Sequence, residues 1–156
     1  MRRKRIGSRD FHGSVDITDP CYNRDVWCRM DDVKIREGTY DCIVWRHTDK
    51  GESDGNPYAD RRVGIIGIYL DGVIPPQKSM EKIGSIGVDA GLAGFFHHKP
   101  DYTDDEWSAL CDRIGEGDAW LTEDGFFSSS GYGDGGYPVY AHKVQGEIAA
   151  LEIRFI

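Results

Sequence analysis

Cys21 follows Asp19-Pro20, a dipeptide that presets a turn because proline fixes its own φ and restricts the residue before it. A turn cysteine becomes a nucleophile when its pKa is lowered and a base stands within hydrogen-bond reach. The chain has five histidines, and no local motif ties His12 or a more distant one to Cys21. The plainer reading makes Cys21 a buried, unreactive thiol packed under a sheet. The alternative is a hydrolase or transferase that uses Cys21 with a histidine.

Metal chemistry finds little footing. Cys21, Cys28, Cys42 and Cys111 include no Cys-x-x-Cys pair, so they form no zinc signature. His97 and His98 are adjacent, and on a strand they point to opposite faces. Asp16, Asp19, Asp89 and Asp134 could converge on a hard cation such as calcium, but aspartates capping turns explain them as well. No cofactor is expected.

Gly131-x-Gly133-x-x-Gly136 matches the dinucleotide-binding fingerprint in letters only. That mechanism needs a strand before the glycines and a helix after them. Here Tyr137-Pro138-Val139-Tyr140 follows, which reads as a strand. The segment still forms the best candidate site, as a long loop over residues 125–136 with five glycines, three serines and Asp134 among aromatic residues. Its backbone N–H groups and aromatic faces could meet a ligand through Tyr132, Asp134 and Tyr137.

The elements that would hold these residues are mostly strands. Ser14 to about Thr18, Tyr40 to about His47, Val63 to Leu70, Ile86 to Phe96 and Leu151 to Phe155 carry strand patterns. The run from Val63 to Leu70 is apolar throughout, so it is expected to be central, with Gly64 and Gly67 marking close approach or a bulge. In the last strand Leu151, Ile153 and Phe155 are expected inward, with Glu152 and Arg154 outward. Thr48–Asp60 reads as an exposed loop. One helix is expected: Thr103-Asp104-Asp105-Glu106 is a capping box, and Trp107, Leu110, Cys111 and Ile114 make one apolar stripe that Gly115 ends.

Gly38-Thr39-Tyr40-Asp41-Cys42-Ile43-Val44 aligns without gaps on Gly135-Gly136-Tyr137-Pro138-Val139-Tyr140-Ala141, and a second apolar run follows each. Each half therefore reads as a hairpin, over residues 38–70 and 135–155, with internal duplication as one explanation. The expected fold is α+β and mainly antiparallel β, a sandwich or partly open barrel built from two similar hairpin units with one packed helix. Residues 1–13 are expected to be a basic, solvated tail and residues 14–156 a single β-rich domain.

The chain of 156 residues is 39% hydrophobic and 12% aromatic, which fits a folded core and no disordered chain. No apolar run approaches the ~20 residues of a membrane helix, and Gly7-Ser8-Arg9-Asp10 stands where a signal peptide would be apolar. A cytosolic protein is the expectation. Net charge is −8, although Arg2, Arg3, Lys4 and Arg5 cluster at the start. An acidic body disfavours broad binding to nucleic acid.

Ile86-Gly87-Val88-Asp89-Ala90-Gly91 and Gly131-Tyr132-Gly133-Asp134-Gly135-Gly136-Tyr137-Pro138-Val139 together resemble bacterial domain-of-unknown-function family 4241. That family has a similar Val-Asp-Ala-Gly strand and a late Gly-Asp-Gly-x-Tyr-Pro hairpin. Asp19-Pro20, Gly38-Thr39-Tyr40 and Arg62-Val63 keep its order, so the resemblance runs from about Val15 to the end. The basic N-terminus and Cys21-Tyr22 depart from it. The resemblance implies a compact fold and carries no activity. The leading functional expectation is a cytosolic, non-catalytic domain whose small ligand or protein partner contacts loop 125–136. Alternatives are an acidic protein inhibitor of a basic partner, as in phage counter-defence, and the Cys21 hydrolase.

Overall fold

The computed structural model describes residues 1–24, 26–97 and 101–156. In chain order the elements are β1 (Arg2–Phe11), β2 (Ser14–Thr18), β3 (Met30–Lys34), β4 (Gly38–Ser53), β5 (Asn56–Leu70), β6 (Glu81–Val88), β7 (Leu92–Phe96), α1 (Asp104–Ile114), β8 (Ala119–Leu121), β9 (Gly125–Ser129), β10 (Gly135–Val144) and β11 (Glu147–Arg154). The strands form two open antiparallel sheets. Sheet A has the order β1-β4-β5-β11-β10-β6, and sheet B has the order β3-β2-β7-β9-β8. This is the expected α+β architecture, a sandwich with one helix.

Period-two alternation builds the core between the sheets. Tyr40, Cys42 and Val44 of β4, Ile66 and Ile68 of β5, and Leu151 and Ile153 of β11 point inward and meet Val15, Ile17, Phe95 and Phe126 of sheet B. β5 sits in the middle of sheet A and is buried continuously from Val63 to Tyr69, as its apolar run requires. The two hairpins, β4–β5 and β10–β11, lie side by side through β5–β11 pairing, from Ile65↔Arg154 to Tyr69↔Ala150. In the strand order β1 and β6 take corresponding outer places.

Five expectations need correction. Residues 2–11 are no solvated tail: β1 pairs along β4 from Arg2↔Arg46 to Phe11↔Gly38, with a register shift around Ile6. Phe11 is fully buried and Ile6 packs on the core, so two apolar anchors dock an otherwise basic strand. The exposed charges of Arg2–Arg5 suit a sheet edge, where they discourage pairing with other chains.

Thr48–Asp60 is not an irregular loop. It prolongs β4 and β5 into an exposed ribbon that closes at Asp54-Gly55, both with positive φ (52° and 79°), the geometry that a two-residue hairpin turn demands.

Ile86–Phe96 is two strands in different sheets, separated by a turn at residues 89–91. Residues 125–129, expected as the start of a loop, form β9, which pairs with both β7 and β8. Glycines permit that tight pairing: a Cβ at Gly94 would lie 2.1 Å from the Phe126 carbonyl oxygen, and one at Gly125 2.0 Å from that of Phe95.

The helix carries the expected capping box, with Thr103 Oγ1 accepting from Glu106 N (3.2 Å) and Glu106 Oε2 accepting from Thr103 N (2.9 Å). Its Leu110 covers Phe96 and Phe127 on the outer face of sheet B, with Trp107 and Ile114 alongside. Cys111, expected in the stripe, is exposed.

Candidate functional site

The residues that carry the sequence motifs meet at one end of the sandwich. Asp19 is fully buried. Its Oδ1 accepts from Cys21 N (2.8 Å) and its Oδ2 accepts from Asp89 N and Ala90 N (both 2.7 Å), so one carboxylate ties the end of β2 to the β6–β7 turn. Burial raises the Asp19 pKa, opposed by these backbone N–H groups. Next to it, Ser130 N donates to Gly91 O (3.0 Å) and Ser130 Oγ to Gly133 O (2.8 Å). The Asp-Pro, Val-Asp-Ala-Gly and Gly-Asp-Gly segments thus form one locked junction of turns.

The three proposed ligand contacts have different surroundings. Tyr137 is half-buried, and its hydroxyl donates to Gly133 O at 2.5 Å. Asp134 is exposed beside Gly91. Tyr132 is exposed and reaches sideways to the ribbon, where its hydroxyl donates to Asp49 and its ring lies 5.1 Å from the Arg62 guanidinium. Asp49 also pairs with His47 Nε2 at 2.8 Å. The hydrogen bonds from Tyr132 and His47 lower the Asp49 pKa.

Asp16 and Asp19 act as structural acceptors. Asp16 faces Arg24 and Arg29 at 3.4 and 3.5 Å and accepts from Asp32 N. No cluster of three or more metal-ligating side chains occurs among the described residues. Cys21 is exposed, in contrast to the buried thiol expected, because the turn that Asp19 holds turns its side chain outward. His98 lies outside the described residues. The His97 ring lies tilted against Phe11 with ring centroids 4.7 Å apart, and its pKa is lowered by burial and by nearby His12 and Arg9.

A cleft of about 850 Å³ lies elsewhere, between β1, β8 and α1. Here the edges of the two sheets, β1 and β8, face each other: a Cβ on Gly7 would lie 2.6 Å from Leu121 Cδ2. Ile6, Leu110, Ile114, Trp120, Leu121 and Phe127 make an apolar lining. Arg9 from β1 and Arg113 from α1 add positive charge, and Glu123 and Asp124 stand at the β8–β9 turn. The Trp120 indole donates to Ile114 O (3.0 Å), which fixes its ring between helix and sheet. The Arg9 Nε is buried without a hydrogen-bond partner among the described residues. Such an orphan donor costs free energy unless something accepts from it.

Sequence reading missed this cleft because its lining comes from the presumed tail, the helix and a short strand. The available signal was Ile6 and Arg9 within the first eleven residues, a mixed apolar and basic stretch that need not be solvated. Compared with family models, curated proteins and solved structures, the chain matches none of them. No helix among the described residues is long and apolar enough to cross a membrane.

Proposed function

We propose that this chain is a binding domain rather than a catalyst, and that its ligand is an anion with an apolar body held in the cleft between β1, β8 and α1. One observation carries the reading: the Arg9 Nε is buried without a partner beside an apolar, aromatic lining. A cavity of this kind, mostly apolar with few convergent polar groups, is where a small ligand gains most. Arg9 and Arg113 would take the charged head, and Trp120, Leu121 and Phe127 the body. Phe127 belongs to the 125–136 segment, so the contact moves from its turn to its strand. Tyr132 and Asp134 of the turn and Tyr137 at the start of β10 would bind nothing in this reading.

The test uses anilinonaphthalene sulfonate and its uncharged relative phenylnaphthylamine as fluorescent probes. The sulfonate should bind the folded protein more tightly, and Arg9→Gln should remove that preference while leaving the neutral probe unchanged. Equal binding of both probes to the wild type would sink the reading.

The acidic-inhibitor alternative rests on the net charge of −8, and Trp27, which is 93% exposed in the segment between β2 and β3, would offer a partner an anchor. Exposed tryptophans are frequent anchors at protein interfaces. A cytosolic location, membership of family 4241 and an origin of the two hairpins by duplication belong to the same proposal. The matched strand order supports the last of these, and the joining of the family-like motifs at one junction supports the second.

A further inference from the structure

The face of sheet A turned away from the core carries a polar network that the anion-binding reading does not use. Alternation puts Trp45 of β4, Tyr69 of β5, and Glu152 and Arg154 of β11 on this face. Trp45 Nε1 donates to the Tyr69 hydroxyl (3.0 Å), which donates to Glu152 Oε2 (2.7 Å). Arg154 Nε donates to Glu152 Oε1 (3.0 Å), and its guanidinium lies 3.7 Å from the centroid of the Tyr140 ring. Glu152 was expected to face solvent, yet it is only 2% exposed.

Gly67 makes the arrangement possible. It is the cross-strand partner of Glu152, and a Cβ there would lie 2.3 Å from the Tyr69 hydroxyl oxygen. The missing side chain leaves a slot in which the phenol lies flat along the sheet and reaches the carboxylate. Burial and the neighbouring carboxylate push the Tyr69 pKa far up, so it stays a donor.

Burying a carboxylate and a guanidinium on a sheet face costs more than apolar packing would. The segment after β5 covers part of the face but does not fill it. A cavity of about 450 Å³ stays open, walled by Trp45, Ile65, Ile74 and Pro75, with Glu152 and Arg154 also lining it. Arg154 Nη2 is buried there without a hydrogen-bond partner among the described residues. It needs an acceptor. Glu152 already balances the charge of Arg154, and a second carboxylate would stand against Glu152 at close range. The acceptor that fits is therefore an uncharged oxygen, and the spare lone pairs of Glu152 can accept from an adjacent N–H.

We propose that this cavity binds a neutral, planar amide or lactam. Its carbonyl accepts from Arg154 Nη2, its N–H faces Glu152, and its plane lies against Trp45. The site differs from the cleft under α1 in place and in charge preference, so either can fail without the other.

Benzamide and benzoate, alike in size and unlike in charge, are suitable probes. The readout is the Trp45 indole N–H signal in nitrogen–proton correlation spectra of the full chain, assigned by its loss in Trp45→Phe. Benzamide at millimolar concentration should move the signal saturably, whereas benzoate should not. Ile74→Trp, which fills the cavity from its cover and leaves every donor and acceptor of the network in place, should abolish the benzamide effect while the spectrum stays that of a folded chain. Arg154→Met should weaken binding about tenfold. A signal that ignores benzamide, follows benzoate equally, or still responds in Ile74→Trp would overturn the proposal.

Discussion

Tyr40 and Tyr137 make the same hydrogen bond in the two hairpins: each hydroxyl donates at 2.5 Å to the carbonyl four residues earlier, Arg36 and Gly133. Each also packs edge-on against a phenylalanine, Phe11 or Phe155, with centroids 5.6 and 5.0 Å apart. The Gly-x-Tyr start of each hairpin thus has one physical job, which is to fasten the preceding turn onto its strand. Tyr40 is wholly buried and Tyr137 only half. Tyr40→Phe should therefore cost about 1–2 kcal/mol and Tyr137→Phe about 1 kcal/mol or less, the range for a lost buried hydrogen bond. Denaturant midpoints of the two variants give the comparison, and a larger loss at Tyr137 would contradict it.

Asp19 satisfies three backbone N–H groups from two separate turns. Asp19→Ala leaves them without this acceptor and should destabilise the fold by about 3 kcal/mol or more. Asp134→Ala, at an exposed position of the same junction, should stay within about 0.5 kcal/mol of the wild type. Equal losses in thermal melts would mean that Asp134 also holds the junction.

Arg46 and Asp118 form a bidentate pair, with Nε to Oδ2 at 2.8 Å and Nη2 to Oδ1 at 2.6 Å, that joins β4 to the turn before β8. The hydrogen bonds from Arg46 hold the Asp118 pKa below its usual 3.8, against a smaller opposing effect of burial. The folded-state value lies below the unfolded one, so on acidification the unfolded chain takes up the proton first. The stabilisation is complete above the unfolded value and is lost as the pH falls through the folded one. Asp118→Asn should be about 1–3 kcal/mol less stable than wild type at neutral pH. That gap should close in acid. Urea titrations at several pH values measure it, and a gap independent of pH would rule out the ionic origin.

No disulfide joins cysteines among the described residues; Cys21 and Cys111 are exposed, and Cys28 and Cys42 are buried. Burial pushes the Cys42 pKa up to about 12, which suppresses its thiolate near neutrality. An aromatic disulfide reagent should therefore modify Cys21 and Cys111 in the native protein, and the other pair only after unfolding. A Cys21 rate far above that of Cys111 would bring the hydrolase reading forward.

What was legible in the sequence followed local rules. The capping box at Thr103, the inward alternation of Leu151 and Ile153 and the continuous burial of residues 63–69 all rest on residues close in the chain. What was not legible depended on partners far away. Arg2–Arg5 resemble a solvated tail until β4, more than thirty residues later, offers them an edge to pair with. Asp54-Gly55 was a readable hairpin signal, hidden by the polar residues of a ribbon that projects past the core. Glu152 looked exposed by alternation, because nothing in its own strand tells of Gly67 across the sheet or of the phenol that lies there. The cleft under α1 draws on β1, β8, β9 and the helix, so no single stretch announces it.

β11 comes last among the strands and yet sits between β5 and β10 in sheet A. Synthesis runs from the N-terminus, so until β11 has been made the two hairpin arms have no seam to join them. The apolar strand β5 then waits with one edge bare. Because such long-range pairing is slow to form, a growing chain stalled before residue 147 would expose an aggregation-prone edge.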